Sequence, residues 1–326
     1  MLFGSNASPP IPEPSEIVEL RVYPIKSCRG FTVEHSTVTM QGLDLDRRWM
    51  FVDAETMSFI TIRDISKMTL VRTALSDDSS ILSISLAETD PSVLVSIPAK
   101  PSSAWLAQNT TKTRCKVWGY DTDGFAYGSE INTPFSDFFG KKVALIYKGP
   151  EVRQLTGNGA KEHLGREQGV GFADVLPVTV ASRASLQELN SRLREKGNEE
   201  DLTIERFRPN IIIKGNTPWE EDDWKLLRIN GSASTSVGMF NTKALDLDVA
   251  ARCARCQVPN VDPITAEKDA KEPWTTLVSY RRVDEGIKYK PCFGMLCCPR
   301  NEGDISVGMR FDVLKTTNEH RYIKGF

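Results

Sequence analysis

The chain has 326 residues, 40% hydrophobic and 26% charged, with a formal net charge of -2. That balance suits a globular protein with a sizeable core and two domains, and it excludes a chain that binds polyanions through overall charge. No run approaches the ~18 apolar residues of a membrane span, and seven cysteines, an odd number with two close pairs, point to a reducing compartment rather than a secreted disulfide framework.

Residues 1–15 are proline-rich, with no apolar signal core and no basic residue before Arg21. They read as a disordered tail without a secretory or transit signal. A cytoplasmic protein is therefore expected, with mitochondrial association as the alternative. Strand-length runs follow at 17–23, 33–40, 49–52, 81–86, 93–97, 115–120 and 143–147, separated by Gly, Asp, Ser and Pro. Many short strands with turn signals predict a barrel or sandwich. One short helix is predicted at 134–139. Residues 149–171 are glycine-rich and polar, as in a linker. Beyond them a strand is predicted at 178–181. Ser185-Leu-Gln-Glu188 reads as a capping box opening a helix, with Leu186, Leu189 and Leu193 on one face. A buried strand at 211–213, a short helix at 274–282, and a turn between two final strands within 304–313 complete the pattern. The expected domains are 1–15 tail, 16–148 first β domain, 149–171 linker, 172–316 second β domain and 317–326 tail.

The densest chemistry lies at Cys253-Ala-Arg-Cys256, two thiols three positions apart, each preceded by an arginine and followed by the turn former Asn260-Val-Asp-Pro263. A neighbouring guanidinium favours thiolate, the soft metal ligand, and arginine suits phosphate or carboxylate. Such a loop suits a metal carried by an anionic organic cofactor. Lys26-Ser27, at a strand end, is either a phosphate-binding turn or an ordinary one. In Asp46-Arg47-Arg48-Trp49, strand alternation would send one guanidinium inward and one outward. The inward one is an anion ligand or half of a structural ion pair. In Arg206-Phe-Arg208-Pro-Asn210, Arg208 and Asn210 would share a strand face, as an anion and heterocycle site or as a loop brace. The acidic run 220–223 reads as a solvated turn. His35, His163 and His320 have no ligand spacing, and the common hydrolase, nucleotide and dinucleotide signatures are absent. A zinc staple of Cys253, Cys256, Cys297 and Cys298, or a thioredoxin-like dithiol, are further readings. Adjacent cysteines and the missing βαβ context count against them.

These pieces fall in the order of a known family. Val22-Tyr-Pro-Ile-Lys-Ser-Cys-Arg-Gly30, Gly42-Leu-Asp-Leu-Asp-Arg-Arg-Trp49, Ser185-Leu-Gln-Glu-Leu-Asn-Ser-Arg-Leu193, Phe207-Arg-Pro-Asn-Ile211, Arg255-Cys256 with Val261-Asp-Pro263, and Val307-Gly308 resemble the eukaryotic MOSC-domain proteins. Within these, the resemblance is to the mitochondrial amidoxime-reducing components. It implies a mostly β fold with some α: an N-terminal MOSC-type β-barrel domain and a C-terminal MOSC β-barrel domain with peripheral helices. It implies a molybdenum cofactor (Mo-molybdopterin), with Cys256 as catalytic metal ligand. Lys26, Ser27 and Arg47 match positions that hold the pterin and its phosphate, and Arg208, Asn210, Ala254 and Arg255 match further contacts. Val175 and Leu176 match a turn whose backbone N–H groups approach the phosphate. The implied activity is reduction of N-hydroxylated compounds, amidoximes or hydroxylamines, with electrons from cytochrome b5 and NADH-cytochrome b5 reductase. A non-catalytic cofactor carrier or sulfurase-type accessory module is the alternative. The chain departs from the family pattern at Met295-Leu296, where a polar–aromatic pair is expected, and at Val175-Leu176, where small hydroxyl residues are expected. It also shows no N-terminal anchor.

Overall fold

Short runs rich in Val, Ile and aromatic residues, cut by turn formers, favour pleated strands with one face buried. The computed structural model describes residues 8–87, 94–230 and 243–325. Seven strands dominate it: β1 (Ser15–Val22), β2 (Val178–Ser182), β3 (Ile211–Ile213), β4 (Trp224–Asn230), β5 (Leu245–Ala254), β6 (Cys292–Pro299) and β7 (Arg310–Thr316). They run β3-β2-β6-β5-β4-β7-β1, and β1 pairs back to β3 with Ile17 opposite Ile213 and Leu20 opposite Ile211. The sheet is thus a closed barrel, antiparallel except for the β2–β3 pair. Closure leaves no exposed edge.

The first half builds a sheet ordered Trp49–Asp53, Val143–Lys148, Tyr120–Tyr127, Thr110–Val117, and a smaller one from Val71–Leu75, Ile81–Leu86 and Val95–Pro98. The halves are interleaved. The first strand of the chain completes the barrel of the second half, while Gly303–Ser306 pairs with His35–Thr39. One buried cluster accordingly runs from Leu20, Trp49 and Phe51 to Val180, Leu227 and Phe311. The architecture is the mostly β fold expected, and no helix among the described residues is long and apolar enough to cross a membrane.

Several local expectations need correction. The run 115–120 is broken by a hairpin turn at Trp118-Gly119, both at positive φ (53° and 83°), so Thr110–Val117 and Tyr120–Tyr127 are separate strands. The predicted helix at 134–139 is Ser129–Phe139, with Pro134 inside it. Residues 149–171 are not bare connection. They hold the strand pair Arg153–Gln154 and Gly169–Val170, and Leu155 and Val170 pack with Leu296 and Cys298. Among the described residues, both expected tails are held by the fold. The Glu13 carbonyl accepts from Asn216 Nδ2 at 2.8 Å, Thr316 Oγ1 donates to the Pro9 carbonyl, and the His320 carbonyl accepts from Arg252 at 2.9 Å. Residues 1–7 lie outside the described residues.

Ser185 does not cap a helix. The helix is Arg183–Glu195, and Ser185 is buried inside it, donating to Glu221 Oε2 and accepting the Trp219 backbone N–H, both at 2.8 Å. Glu188 instead accepts from Trp219 Nε1 (3.0 Å) and Tyr280 (2.8 Å). The acidic run 220–223 is likewise no solvated turn, because Glu221 is fully buried and Asp222 pairs with Arg281. Burial, then the neighbouring Asp222, pushes the Glu221 carboxyl up to about 7, and its Oε1 has no hydrogen-bond partner among the described residues. The folded state therefore keeps a proton that the unfolded chain releases above the ordinary glutamate range. This contribution to stability is complete below about pH 4.5 and is lost as pH rises through about 7. Glu221→Gln is expected to melt higher than wild type at pH 8, by roughly 1–3 kcal/mol, with the gain gone near pH 4.5. Thermal melts at the two pH values check this, and an equal difference at both would reject it.

Candidate functional site

A cavity of about 220 Å³ opens where the first half meets one end of the barrel. All the residues singled out from the sequence line it: Lys26, Ser27, Arg47, Val175, Leu176, Arg208, Asn210, Ala254, Arg255 and Cys256.

Three of them are aimed by left-handed backbone rather than by strand alternation. Ser27 (φ 68°) follows β1 in a turn pinned where the Lys26 N–H donates to the Trp49 carbonyl at 2.8 Å. Arg47 (φ 49°) sits in a turn whose N–H donates to the Tyr23 carbonyl at 2.8 Å. Arg48 turns the other way, onto Tyr147. Arg208 (φ 54°) ends the short helix Ile204–Phe207. Proline at 209 disfavours the helical region for Arg208. The inward and outward arginines are thus as expected, but turns produce them. Asn210 precedes β3 and acts as a brace. Its Oδ1 accepts from the Thr179 N–H (3.1 Å) and its Nδ2 donates to the Arg21 carbonyl (3.3 Å).

Arg47 and Arg208 both rest on the Tyr23 ring, 4.5 and 4.3 Å from its centroid, and Arg47 Nη2 donates to the Arg208 carbonyl at 3.1 Å. Arg47 has Asp46 as counter-ion. Arg208 has none among the described residues, and its Nη2 is sealed from solvent without an acceptor. Burial and then Arg47 lower the Arg208 pKa. A half-buried guanidinium with a sealed, unmatched donor beside a second guanidinium is costly unless an anion completes it.

Lys26 Nζ donates to the Phe172 carbonyl at 2.8 Å and pairs with Asp174, while burial lowers its pKa. Asp174 is the single carboxylate among the described lining residues, against Lys26, Arg47, Arg63, Arg206, Arg208, Arg255 and Lys290. Its surroundings raise its carboxyl, but Lys26 and the Trp118 indole N–H (2.9 Å) outweigh this and hold it at about 2. It stays ionised, so the cleft keeps a surplus of positive charge. The N–H groups of Asp174, Val175 and Leu176 have no protein acceptor among the described residues.

At the end of β5 the two thiols diverge. Cys253 packs with Leu155, Val170 and Leu296, and burial pushes its thiol up. Cys256 lies past the strand end, half-buried, at the cleft wall. The arginines diverge too. Arg252 turns away to the His320 carbonyl (2.9 Å), so only Arg255 stays with the thiols. Arg255 donates to the Phe293 carbonyl (2.9 and 2.7 Å) and the Phe207 carbonyl (2.8 Å), across two rings stacked at 3.9 Å. It locks the loop that carries Cys256.

A zinc staple does not form. Cys297 is in the barrel core and Cys298 in a separate buried cluster, and among the described residues no three or more His, Cys, Asp or Glu are grouped to hold a metal. Of the Met295-Leu296 departure, Met295 enters the barrel core and Leu296 lines the cleft. The sequence reading missed Arg63, Trp118, Lys290 and Tyr322, which also line it. Trp118 carries the Arg63 guanidinium 4.5 Å from a ring centroid, a contact no local pattern signals.

The geometry describes a cationic cleft whose chemistry suits an organic anion, with two half-buried thiols, Cys253 and Cys256, on its wall. Residues 15–142 match the MOSC N-terminal beta barrel domain, and residues 167–312 match the MOSC domain. Mitochondrial amidoxime-reducing component 1 of Mus musculus is 31% identical over 301 residues, 90% of this chain and 80% of that protein. Mitochondrial amidoxime reducing component 2 of Bos taurus is 31% identical over 90% of this chain and 81% of its own length. Molybdenum cofactor sulfurase of Arabidopsis thaliana is 29% identical over 85% of this chain but only 32% of its own length. With its closed barrel, its interleaved first half and these relatives, the chain belongs to the MOSC-domain proteins that carry a MOSC N-terminal β-barrel domain, alongside the amidoxime-reducing components.

Proposed function

We propose that this protein binds a molybdenum cofactor in the cleft and reduces N-hydroxylated compounds. The observation that carries the reading is the unmatched Arg208 donor beside Arg47, in a cationic cleft with Cys256 at its wall. Arg208 would find its acceptor in a pterin phosphate, and Cys256 would offer the thiolate that suits a soft metal. Arg47, Arg208, Lys26, Ser27 and the free N–H groups at Val175 and Leu176 would hold the phosphate and pterin. Cys256 would hold the metal, with Ala254, Arg255 and Asn210 shaping the wall. When bound, the cofactor supplies two-electron redox chemistry. The balanced reaction is R–NHOH + 2 electrons + 2 protons → R–NH₂ + H₂O. The chain's part is to bind, to orient and to keep charge compensated. Asp174 offsets Lys26, and Leu296 makes the wall apolar where the family pattern has a polar–aromatic pair.

The chain carries no hydride-cofactor motif, so a partner must deliver the electrons, with cytochrome b5 and NADH-cytochrome b5 reductase as the donors to try. Holo protein is expected to contain about one molybdenum per chain and to reduce benzamidoxime or a hydroxylamine with that pair or with reduced methyl viologen. Turnover with dye alone would reject the donor. No turnover with either, in fully loaded protein, would favour a cofactor carrier or sulfurase-type accessory role.

A further inference from the structure

One side of the cleft mouth is made by two surface segments locked together. Ile287 and Lys290 come from one and Tyr322 from the other. Asp284 Oδ1 accepts the Tyr322 N–H at 2.8 Å and the Gly286 N–H at 2.9 Å. A Cβ on Gly286 would lie 2.1 Å from the Tyr322 carbonyl and 2.9 Å from Arg321 Cγ, so the segments touch there. Arg282, Lys288, Lys290 and Arg321 are all exposed. None has an ion-pair partner among the described residues, whereas exposed Arg114, Lys161 and Arg194 each hold a carboxylate. Glu285 and Glu319 are exposed nearby and only partly offset these cations. The chain as a whole is at -2, so this concentration of unpaired positive charge runs against the overall balance. Between the charges, Tyr289 is 76% exposed, Val283 39% and Ile323 38%. Apolar area ringed by charge is the anatomy of a protein-docking surface.

We infer that this rim, centred on Lys288 and Arg321, docks a small acidic electron-donor protein. The inference rests on the redox reading above, which requires electrons from outside the chain. A one-electron carrier must bring its redox centre close to the mouth, and the rim lies there. Unpaired cations steer an acidic partner and fix its orientation. The exposed aromatic and aliphatic side chains then give the encounter contact area. The reduced donor is oxidised by one electron per visit, and two visits complete the reaction written above.

The test uses holo protein with Lys288→Glu, Arg321→Glu and the double variant. Cytochrome b5 is the acidic donor, and reduced methyl viologen is the parallel donor that needs no docking. The double variant should lose ~10-fold or more in kcat/KM for the cytochrome and lose most of the wild-type salt dependence, with the dye-driven rate within about twofold. Unchanged cytochrome kinetics, or an equal fall in both rates, would overturn the assignment. So would loss of binding to anionic vesicles with the cytochrome rate intact, since the rim would then be a lipid-facing surface. Failure of the reductase reading shows separately, as absent dye turnover in loaded wild type. In that case titration of cytochrome b5 against wild type and double variant still decides the surface: binding lost on charge reversal upholds it, and no difference rejects it.

Discussion

Cys256→Ala is expected to lower N–O reduction by well over ~100-fold and leave molybdenum labile, while Cys253→Ala retains most activity. Both thiols come from the same short run, but the fold treats them differently. Cys253, also half-buried and on the cleft wall, still lies within its strand against Leu155, Val170 and Leu296, and burial raises its thiol, so the metal-binding thiolate is disfavoured there. Cys256 lies beyond the strand end on a loop locked by Arg255, half-buried and open to the cleft. If Cys256 is the metal ligand proposed, its loss should exceed the ~10–100-fold typical of groups that only support a ligand. Cys253→Ala removes one sulfur from a packed cluster and should cost stability of about 1 kcal/mol rather than function. Metal content and rate, measured on both variants, decide between them. Loss of metal in Cys253→Ala with retention in Cys256→Ala would reverse the assignment.

Arg208→Met is expected to weaken cofactor retention ~100-fold yet leave the melting temperature of cofactor-free protein unchanged or higher. Without a ligand the cleft holds a half-buried guanidinium whose Nη2 is sealed without an acceptor among the described residues, and its neighbour Arg47 adds like-charge repulsion. Removing it relieves a cost in the apo state. With the proposed cofactor bound, the same change would remove a charge-assisted contact worth ~1.5–3 kcal/mol. A bound ligand stabilises by mass action, ~2.7 kcal/mol at a hundredfold excess over Kd, so the melting gain on loading should shrink by about that amount. Paired melts of apo and holo samples, with release of the pterin, measure both signs. If apo and holo fall together, Arg208 is a brace of the fold and not an anion ligand.

The pairs that look alike in sequence are the ones the fold separates. Arg252 and Arg255 each precede a cysteine, yet one serves the His320 carbonyl and the other the cleft loop. The residue types needed for an anion and a soft metal were legible, because guanidinium and thiol chemistry does not depend on the fold. Their aim was not, since Ser27, Arg47 and Arg208 are turned inward by positive φ, which the run of letters around them does not announce.

By itself the sequence determined the β class, strands such as those at 17–23, 143–147, 178–181 and 211–213, and the residue types suited to an anion and a soft metal, since side-chain periodicity, turn chemistry and functional-group identity are local properties. The barrel strands Trp224–Asn230, Leu245–Ala254 and Cys292–Pro299 were not legible in it. Tertiary structure alone decided that β1 closes a barrel built from residues beyond 178, that Gly303–Ser306 returns to pair with His35–Thr39, and that Ser185 and Glu221 meet in the interior. It also decided that Trp118 and Arg63 line the cleft and that Gly286 comes up against Arg321 and Tyr322. Each of these depends on which distant partner a segment meets and on the water it loses there. Desolvation and long-range pairing arise only when the whole chain has closed.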